Sequence, residues 1–316
     1  MGERRMVGIG VDVGGTSTKL GLFTEEGSLL RKWQIPTDQR NRSERVIPNI
    51  AASIRTVLKE EGYHLSDVTG VGMGVPGPVQ PSGYVEICVN LHWRNRYPAR
   101  ELSELLDGVR VELGNDANVA ALGEAWKGGG EGTKNAVLIT LGTGVGGGII
   151  LDGKIVTGIH GLGGEIGHLH VYEGETEACN CGAYGCLEQV ASATGIVRVA
   201  KRRLRKDQAF SSMRELGETL SAKDVCELGK AGDRLADEVM EQVGNYLGLA
   251  VSLLCLTVDP EIFIIGGGVS KAGAYLVEKI KKHYDRYTAI SSNRGQIVLA
   301  TLGNDAGIYG AVKLVL

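Results

Sequence analysis

One plan of strand, glycine-rich turn and helix runs through this chain twice, and that duplication restricts the possible folds more than any other feature. The first copy opens with an apolar strand, Val7-Gly-Ile-Gly-Val11, a turn, Asp12-Val-Gly-Gly-Thr16, and a returning strand through Leu20-Gly-Leu-Phe23. The second opens with Ala136-Val-Leu-Ile-Thr140, a turn, Leu141-Gly-Thr-Gly144, and a strand through Gly148-Ile-Ile-Leu151. Each hairpin is followed by apolar residues at helical spacing, Ile47, Ile50, Ile54 and Val57 in one half and Val239, Val243, Leu247, Val251 and Leu254 in the other. A strand ending in glycines comes next, Val71-Gly-Met-Gly-Val-Pro-Gly77 and Ile262-Phe-Ile-Ile-Gly-Gly-Gly268. Both halves then reach the same tetrapeptide, Gly114-Asn-Asp-Ala117 and Gly303-Asn-Asp-Ala306, each before a helix.

Strands alternating with helices predict mainly parallel sheets covered by helices, with ligands at the strand ends. The length of 316 residues suits two such domains. Glycine, at 48 of those residues, is about twice its average usage and clusters in loops, where it lets backbone approach a ligand or turn tightly. A net charge of -3 and an aromatic content of 5% give neither an electrostatic footprint nor a stacking platform for nucleic acid. The segment Met1 to Met6 has no apolar stretch that would serve as a signal peptide, and no run of 18 uncharged apolar residues follows, so the expectation is a cytoplasmic protein without a membrane partner. In a reducing compartment, the clustering of Cys179, Cys181 and Cys186, against the scattered Cys88, Cys226 and Cys255, points to metal rather than disulfide.

On its duplicated glycine hairpins the sequence resembles the actin-like ATPase superfamily. The resemblance implies an α/β, ribonuclease H-like fold: two duplicated α/β domains facing a cleft that holds a nucleotide. It also implies where the chain divides. Residues 1–115 plus 303–316 would form a smaller N-terminal domain, and 116–302 a larger one carrying the metal motif.

Phosphoryl transfer needs donors for phosphate, a cation and a carboxylate that takes the proton of the attacking hydroxyl. Backbone amides of Gly14, Gly15 and Thr16 are the candidates to bind phosphate oxygens of ATP, and Asp12 to reach Mg²⁺ through water. Gly142, Thr143 and Gly144 form the facing loop, and Gly266, Gly267 and Gly268 a support under the adenine or ribose. Lys19 is left outside this set as an outward-facing strand lysine. Duplication offers two equivalent aspartates, Asp116 and Asp305. Asp116, flanked by Asn115 and Asn118, is assigned as general base, and Asp305 as a helix cap; capping is the ordinary role open to Asp116 as well.

The densest local signal is His168, ten residues, then Cys179-Asn-Cys181-Gly-Ala-Tyr-Gly-Cys186-Leu-Glu188. One imidazole and three thiolates make a closed tetrahedral zinc site, which is structural because no position stays open. His170 is a rival nitrogen ligand. The basic run Lys201-Arg-Arg-Leu-Arg-Lys206 reads as a solvated helix face, and Trp93 and Trp126 as core or interface residues.

With Gly167-His168 ahead of Cys179 to Glu188, Asp12-Val-Gly-Gly-Thr16 and the central Asn115-Asp116, the whole chain resembles the ROK family of sugar kinases and sugar-responsive repressors. That resemblance implies sugar contacts from Asn90, Asn115, Asp116, Glu165, His168 and Glu188, with zinc fixing His168 and the loop ending in Glu188. It favours glucose as substrate, through Glu165, His168, Glu188 and the segment Trp33-Gln-Ile-Pro-Thr37, and implies a homodimer. Kinases for N-acetylmannosamine, fructose or allose are the alternatives. A repressor of the same family would need a DNA-binding helix-turn-helix ahead of the first hairpin, where the sequence offers no room.

Overall fold

The computed structural model describes residues 6–316. The chain enters as an antiparallel meander, β1 (Val7–Val13), β2 (Ser17–Thr24) and β3 (Leu29–Pro36). Two helices follow, α1 (Arg40–Ser43) and α2 (Val46–Glu60), then β4 (Val68–Val75), a ribbon of β5 (Val85–Cys88) and β6 (Trp93–Arg96), α3 (Pro98–Leu105), β7 (Val111–Asn115) and α4 (Asp116–Lys127). The first sheet has the order β3-β2-β1-β4-β7, with β4 parallel to β1 and β7 parallel to β4.

The second copy begins with β8 (Ala136–Leu141), β9 (Val145–Leu151) and β10 (Lys154–Ile155). Helices α5 (Leu187–Ala191), α6 (Ala193–Lys206), α7 (Met213–Leu216), α8 (Ala222–Lys230) and α9 (Arg234–Val258) lead to β11 (Ile262–Gly266). The chain closes with α10 (Ala274–Tyr287), β12 (Gln296–Leu299) and α11 (Ala306–Lys313). This sheet has the order β10-β9-β8-β11-β12, the same succession of roles as the first, with β11 parallel to both neighbours. The expected duplication is therefore present strand for strand.

Both helices anticipated from their spacing form for the anticipated reason. Ile47, Ile50, Ile54 and Val57 are all buried on α2, and the first three join the core over β1, β2 and β4. Each such side chain contributes roughly 1.5–3 kcal/mol when withdrawn from water. On α9 the buried set includes Val239, Val243, Leu247, Val251 and Leu254; Asp233 caps its start by accepting from the Ala236 N–H at 3.1 Å, and Asp259 in a left-handed conformation ends it. This helix alone among the described residues is long and apolar enough to cross a membrane, but most of its apolar window is buried in the protein, as in a core helix. Trp93 is core, and its indole N–H donates to the Ser43 carbonyl at 3.3 Å.

The chain separates into two compact units, one reaching to Lys134 and adding Gly148–Gly164 and Leu302–Leu316, the other made of Asn135–Gly147 and Glu165–Thr301. The second domain expected from the sequence begins at residue 116, whereas the structure keeps α4 in the first unit. Glycine is the physical reason: a Cβ on Gly310 of α11 would lie 1.7 Å from the Val119 carbonyl oxygen of α4, so the two helices cross backbone to backbone. α11 lies equally close to the sheet, because a Cβ on Gly72 of β4 would lie 1.6 Å from the Ala311 carbonyl oxygen.

Candidate functional site

In the first unit, the turn between β1 and β2 presents the Asp12 to Thr16 segment. The Gly14 N–H donates to the Ser17 carbonyl at 3.0 Å and so closes the turn. That bond narrows the phosphate-binding amides expected at this turn to those of Gly15 and Thr16 at its tip. The residues after β3 brace the loop: the Thr37 hydroxyl donates to the Gly14 carbonyl at 2.8 Å, and the Thr37 N–H to the Thr16 carbonyl at 3.0 Å. The Gln39 amide donates both to the Gly15 carbonyl and, at 3.2 Å, to the carbonyl of Asn90, linking the turn to a predicted sugar contact. Burial pushes the Asp12 carboxyl up from its usual range, against a smaller pull downward from Lys19, whose Nζ lies 3.9 Å away. Lys19 also donates to the Asn304 carbonyl at 3.0 Å.

The two Asn-Asp copies diverge. Asn115 ends β7 in an extended conformation, and its Oδ1 accepts from the N–H groups of Ala117 at 3.0 Å and Asn118 at 3.1 Å, so Asn115 is the residue that caps α4. Its Nδ2 donates to the Gly77 carbonyl and to Asp116 Oδ1, each at 3.1 Å. Asp116 Oδ1 also accepts from the Ala117 N–H at 2.8 Å, so this carboxylate is oriented by its neighbours. Asn118 turns instead to the Gly163 carbonyl, at 3.3 Å. In the second copy, Gly303 to Asp305 is a 3-10 turn, and Asp305 stands at the start of α11 without a side-chain cap bond. Its carboxylate pairs with Lys32 at 2.8 Å, which corrects the capping role expected for Asp305.

The second unit carries the other turn. Gly142 N–H donates to the Gly144 carbonyl at 3.0 Å, and the start of α6 holds the loop from behind: Ala193 N–H reaches the Gly142 carbonyl at 2.8 Å, and the Thr194 hydroxyl reaches that of Thr143 at 3.0 Å. Glu188 Oε2 accepts from the Val145 N–H at 3.0 Å. Beside this turn lies a cavity of about 670 Å³, lined by Gly142, Thr143, Gly268 and Val269 and by Ala222, Lys223, Cys226 and Glu227 of α8 with its cap Ser221. Gly266 ends β11 in register with Thr140, and Gly267 and Gly268 follow it. The α8 wall was missed by the sequence reading; the signal available was the Ser221 to Asp224 capping pair, with Ser221 Oγ accepting from the Asp224 N–H at 3.3 Å.

Adjacent glycines here have opposite sensitivities. Gly267 has φ 82° and ψ -179°, a region open to glycine alone, and a Cβ on it would meet the Leu141 backbone at 2.5 Å. A Cβ on Gly268, which lines the cavity, meets nothing within 4 Å. Gly267→Ala is therefore expected to destabilise the protein by about 3 kcal/mol or more in urea melts. Gly268→Val should leave the melt nearly unchanged but raise the KM for a bound nucleotide about tenfold. Equal melts for the two variants would contradict this.

His168, Cys179, Cys181 and Cys186 bring their ligand atoms within 4.8 Å of one another. Cys181 Sγ and Cys186 Sγ are 3.7 Å apart, and Cys179 Sγ lies 3.8 Å from His168 Nδ1. Tetrahedral bonds of roughly 2.3 Å place two thiolates about 3.8 Å apart, so the cluster has the size of a single Zn²⁺ site. Burial and the neighbouring thiols push the Cys186 thiol up to about 12. His170 is not part of the cluster: its Nδ1 faces the Tyr184 carbonyl at 2.8 Å and its Nε2 the Glu173 carboxylate at 3.1 Å. The other ring nitrogen of His168 points to Glu165, 3.9 Å away, and Glu188 Oε1 lies 4.0 Å from Cys179 Sγ. The cluster thus touches all three sugar contacts predicted in this unit.

The ROK family model matches residues 8–316. A glucokinase from Halalkalibacterium halodurans is 42% identical over 97% of this chain and 94% of its own length. Among solved structures, a ROK hexokinase from Thermus thermophilus superposes with a TM-score of 0.81 at 31% identity, covering 97% of each chain. A ROK family glucokinase from Streptomyces griseus, in complex with glucose and AMPPNP, gives a TM-score of 0.74 at 33% identity over 98% of each chain. The fold is accordingly the actin-like ATPase fold expected from the duplicated hairpins. Since the match runs through the glycine turns, the capped Asn115-Asp116 pair and the cysteine cluster alike, the chain belongs to the ROK family.

Proposed function

We propose that this protein is an ATP-dependent glucokinase that phosphorylates glucose at its 6-hydroxyl, with Asp116 as general base. The observation that carries the assignment is the arrangement at the start of α4: Asn115 is the cap, and its amide together with the Ala117 N–H orients the Asp116 carboxylate. A carboxylate oriented in this way by its neighbours is suited to accept a proton. In the reaction, Asp116 takes the proton of the 6-hydroxyl as that oxygen bonds to the γ-phosphorus; the bond from that phosphorus to the bridging oxygen breaks and ADP leaves. Amides of Gly15 and Thr16 and the Gly142 to Gly144 turn hold phosphate oxygens, while the cavity beside Gly268 takes the nucleoside. Mg²⁺, held through Asp12, would neutralise charge on the phosphates.

Glucose is favoured because glucokinases are among the relatives that match this chain over nearly its whole length. Asn90, Asn115, Asp116, Glu165, His168 and Glu188 would bond its hydroxyls, which both donate and accept. Zinc would be held by His168, Cys179, Cys181 and Cys186 and would supply rigidity only. The protein would work in the cytoplasm as a homodimer. N-Acetylmannosamine, fructose and allose are the competing substrates within the same chemistry. A coupled assay of ADP release across these hexoses should give glucose the highest kcat/KM by about tenfold or more. A higher value for another hexose would replace glucose as substrate, and no stimulation by any sugar would end the kinase reading.

A further inference from the structure

The basic run on α6 is only in part the solvated face that its composition suggests: Arg205 and Lys206 are exposed, whereas the other basic side chains are paired. Lys201 pairs with Glu218, Arg203 with Glu238 and Asp207, and Arg202 with Glu175. The last of these differs in kind from the others. The Glu175 side chain has no exposed surface, whereas Glu218 is 92% exposed. Its Oε1 accepts from Arg202 and from the N–H groups of Thr176 at 3.0 Å and Glu177 at 3.2 Å, and its Oε2 faces the Arg198 guanidinium at 3.7 Å. Arg198 and Arg202 are one helical turn apart on α6 and close on this carboxylate together. A carboxylate withdrawn from water in this way is retained only when paired, and the pairing fixes the backbone around it.

The position of Glu175 gives the pair a consequence beyond packing. It lies in the segment between His168 and Cys179, four residues before Cys179. A second fastening follows directly: Gln189 Nε2 donates to the Glu177 carbonyl at 2.8 Å, while Gln189 Oε1 accepts from the Cys186 N–H at 3.1 Å. Arg202 is backed in turn by the Tyr172 ring, 5.9 Å from its guanidinium, and Tyr172 packs on Tyr246 of α9 with ring centres 5.6 Å apart. The ligand-bearing loop is thus tied to three helices, through Gln189 of α5, Arg198 and Arg202 of α6 and Tyr246 of α9.

We propose that Glu175, gripped by Arg202 and Arg198, is a positioning residue that sets the metal loop in place for zinc, and through His168 and Glu188 for the sugar. The sugar half of this statement rests on the glucokinase reading; the zinc half does not. Groups behind metal ligands typically change metal affinity by about 10–100-fold when lost. In zinc-loaded protein, Glu175→Gln and Arg202→Met are each expected to release zinc to excess 4-(2-pyridylazo)resorcinol at least tenfold faster than the parent. Glucose KM should rise about tenfold while kcat stays within about twofold and ATP KM is unchanged, a split that a general loss of stability does not produce. Arg202→Lys, which keeps the charge but loses the planar fork, should fall between. If Glu175→Gln does not fold, Arg198→Met is read in the same way. Zinc release at the parent rate in the folded variants would overturn the proposal, whatever happens to glucose turnover. Faster release in a protein that phosphorylates a different hexose would uphold it and remove only the glucose assignment.

Discussion

Asp116→Asn should lower kcat for glucose phosphorylation by about a thousandfold while leaving sugar affinity within a fewfold of the parent. The magnitude is that of a lost general base, roughly 10²–10⁴. The substitution is nearly isosteric, and the asparagine oxygen can still accept from Asn115 Nδ2 and the Ala117 N–H, which Asp116 Oδ1 now does at 3.1 and 2.8 Å. Capping of α4 is untouched because it belongs to Asn115. The melting temperature should therefore move by only a few degrees, and sugar titration should still saturate. Activity within tenfold of the parent would mean that another group takes the proton. Asp305→Asn is the internal control: this aspartate pairs with Lys32, so its loss removes a partly exposed ion pair and should leave kcat unchanged.

The second large effect is expected from removing the metal. Elemental analysis of protein purified without chelators should find about one zinc per chain. Cys181→Ser, chosen because Cys181 is the exposed thiol of the three, should abolish tight zinc retention and reduce kcat/KM for glucose about a hundredfold or more. The loss should fall mainly on sugar KM, because the cluster neighbours Glu165 and Glu188, the proposed sugar contacts. Protein that contains no zinc yet binds glucose as tightly as the parent would contradict this account.

Much of the architecture is legible in the sequence because it rests on local patterns. Glycines between apolar strands gave both hairpins, and the 3.6-residue spacing from Ile47 to Val57 and from Val239 to Leu254 gave α2 and α9. The cysteine spacing likewise anticipated a cluster that the structure closes with His168 and not His170. What escaped depends on partners far away in the chain. The two Asn-Asp copies look alike, but one caps its helix and the other meets Lys32, 273 positions earlier. Arg202 reads as part of a solvated basic run, and only the fold sets it against the buried Glu175 carboxylate. The grouping of α4 with α11 depends on Gly310 meeting Val119, which no local pattern announces. At the first turn, the sequence marks glycines but not which N–H closes the turn on Ser17.

Trp93 and Trp126 show the same boundary from another side. Composition left both as core or interface; Trp93 is fully enclosed beside Ser43, whereas Trp126 is flanked by the ammonium groups of Lys127 and Lys313 at 5.2 and 5.0 Å from its ring. Burial is a property of the assembled fold, and a single aromatic in a sequence does not announce it.

The central claim is the transfer of a phosphoryl group from ATP to the 6-hydroxyl of glucose. Phosphorus NMR of the purified protein with Mg-ATP and glucose tests it most directly. The expected spectrum shows ADP and glucose 6-phosphate growing in equal amounts, both suppressed in Asp116→Asn. Inorganic phosphate appearing in place of a sugar phosphate, or a phosphate on a different hydroxyl, would contradict it.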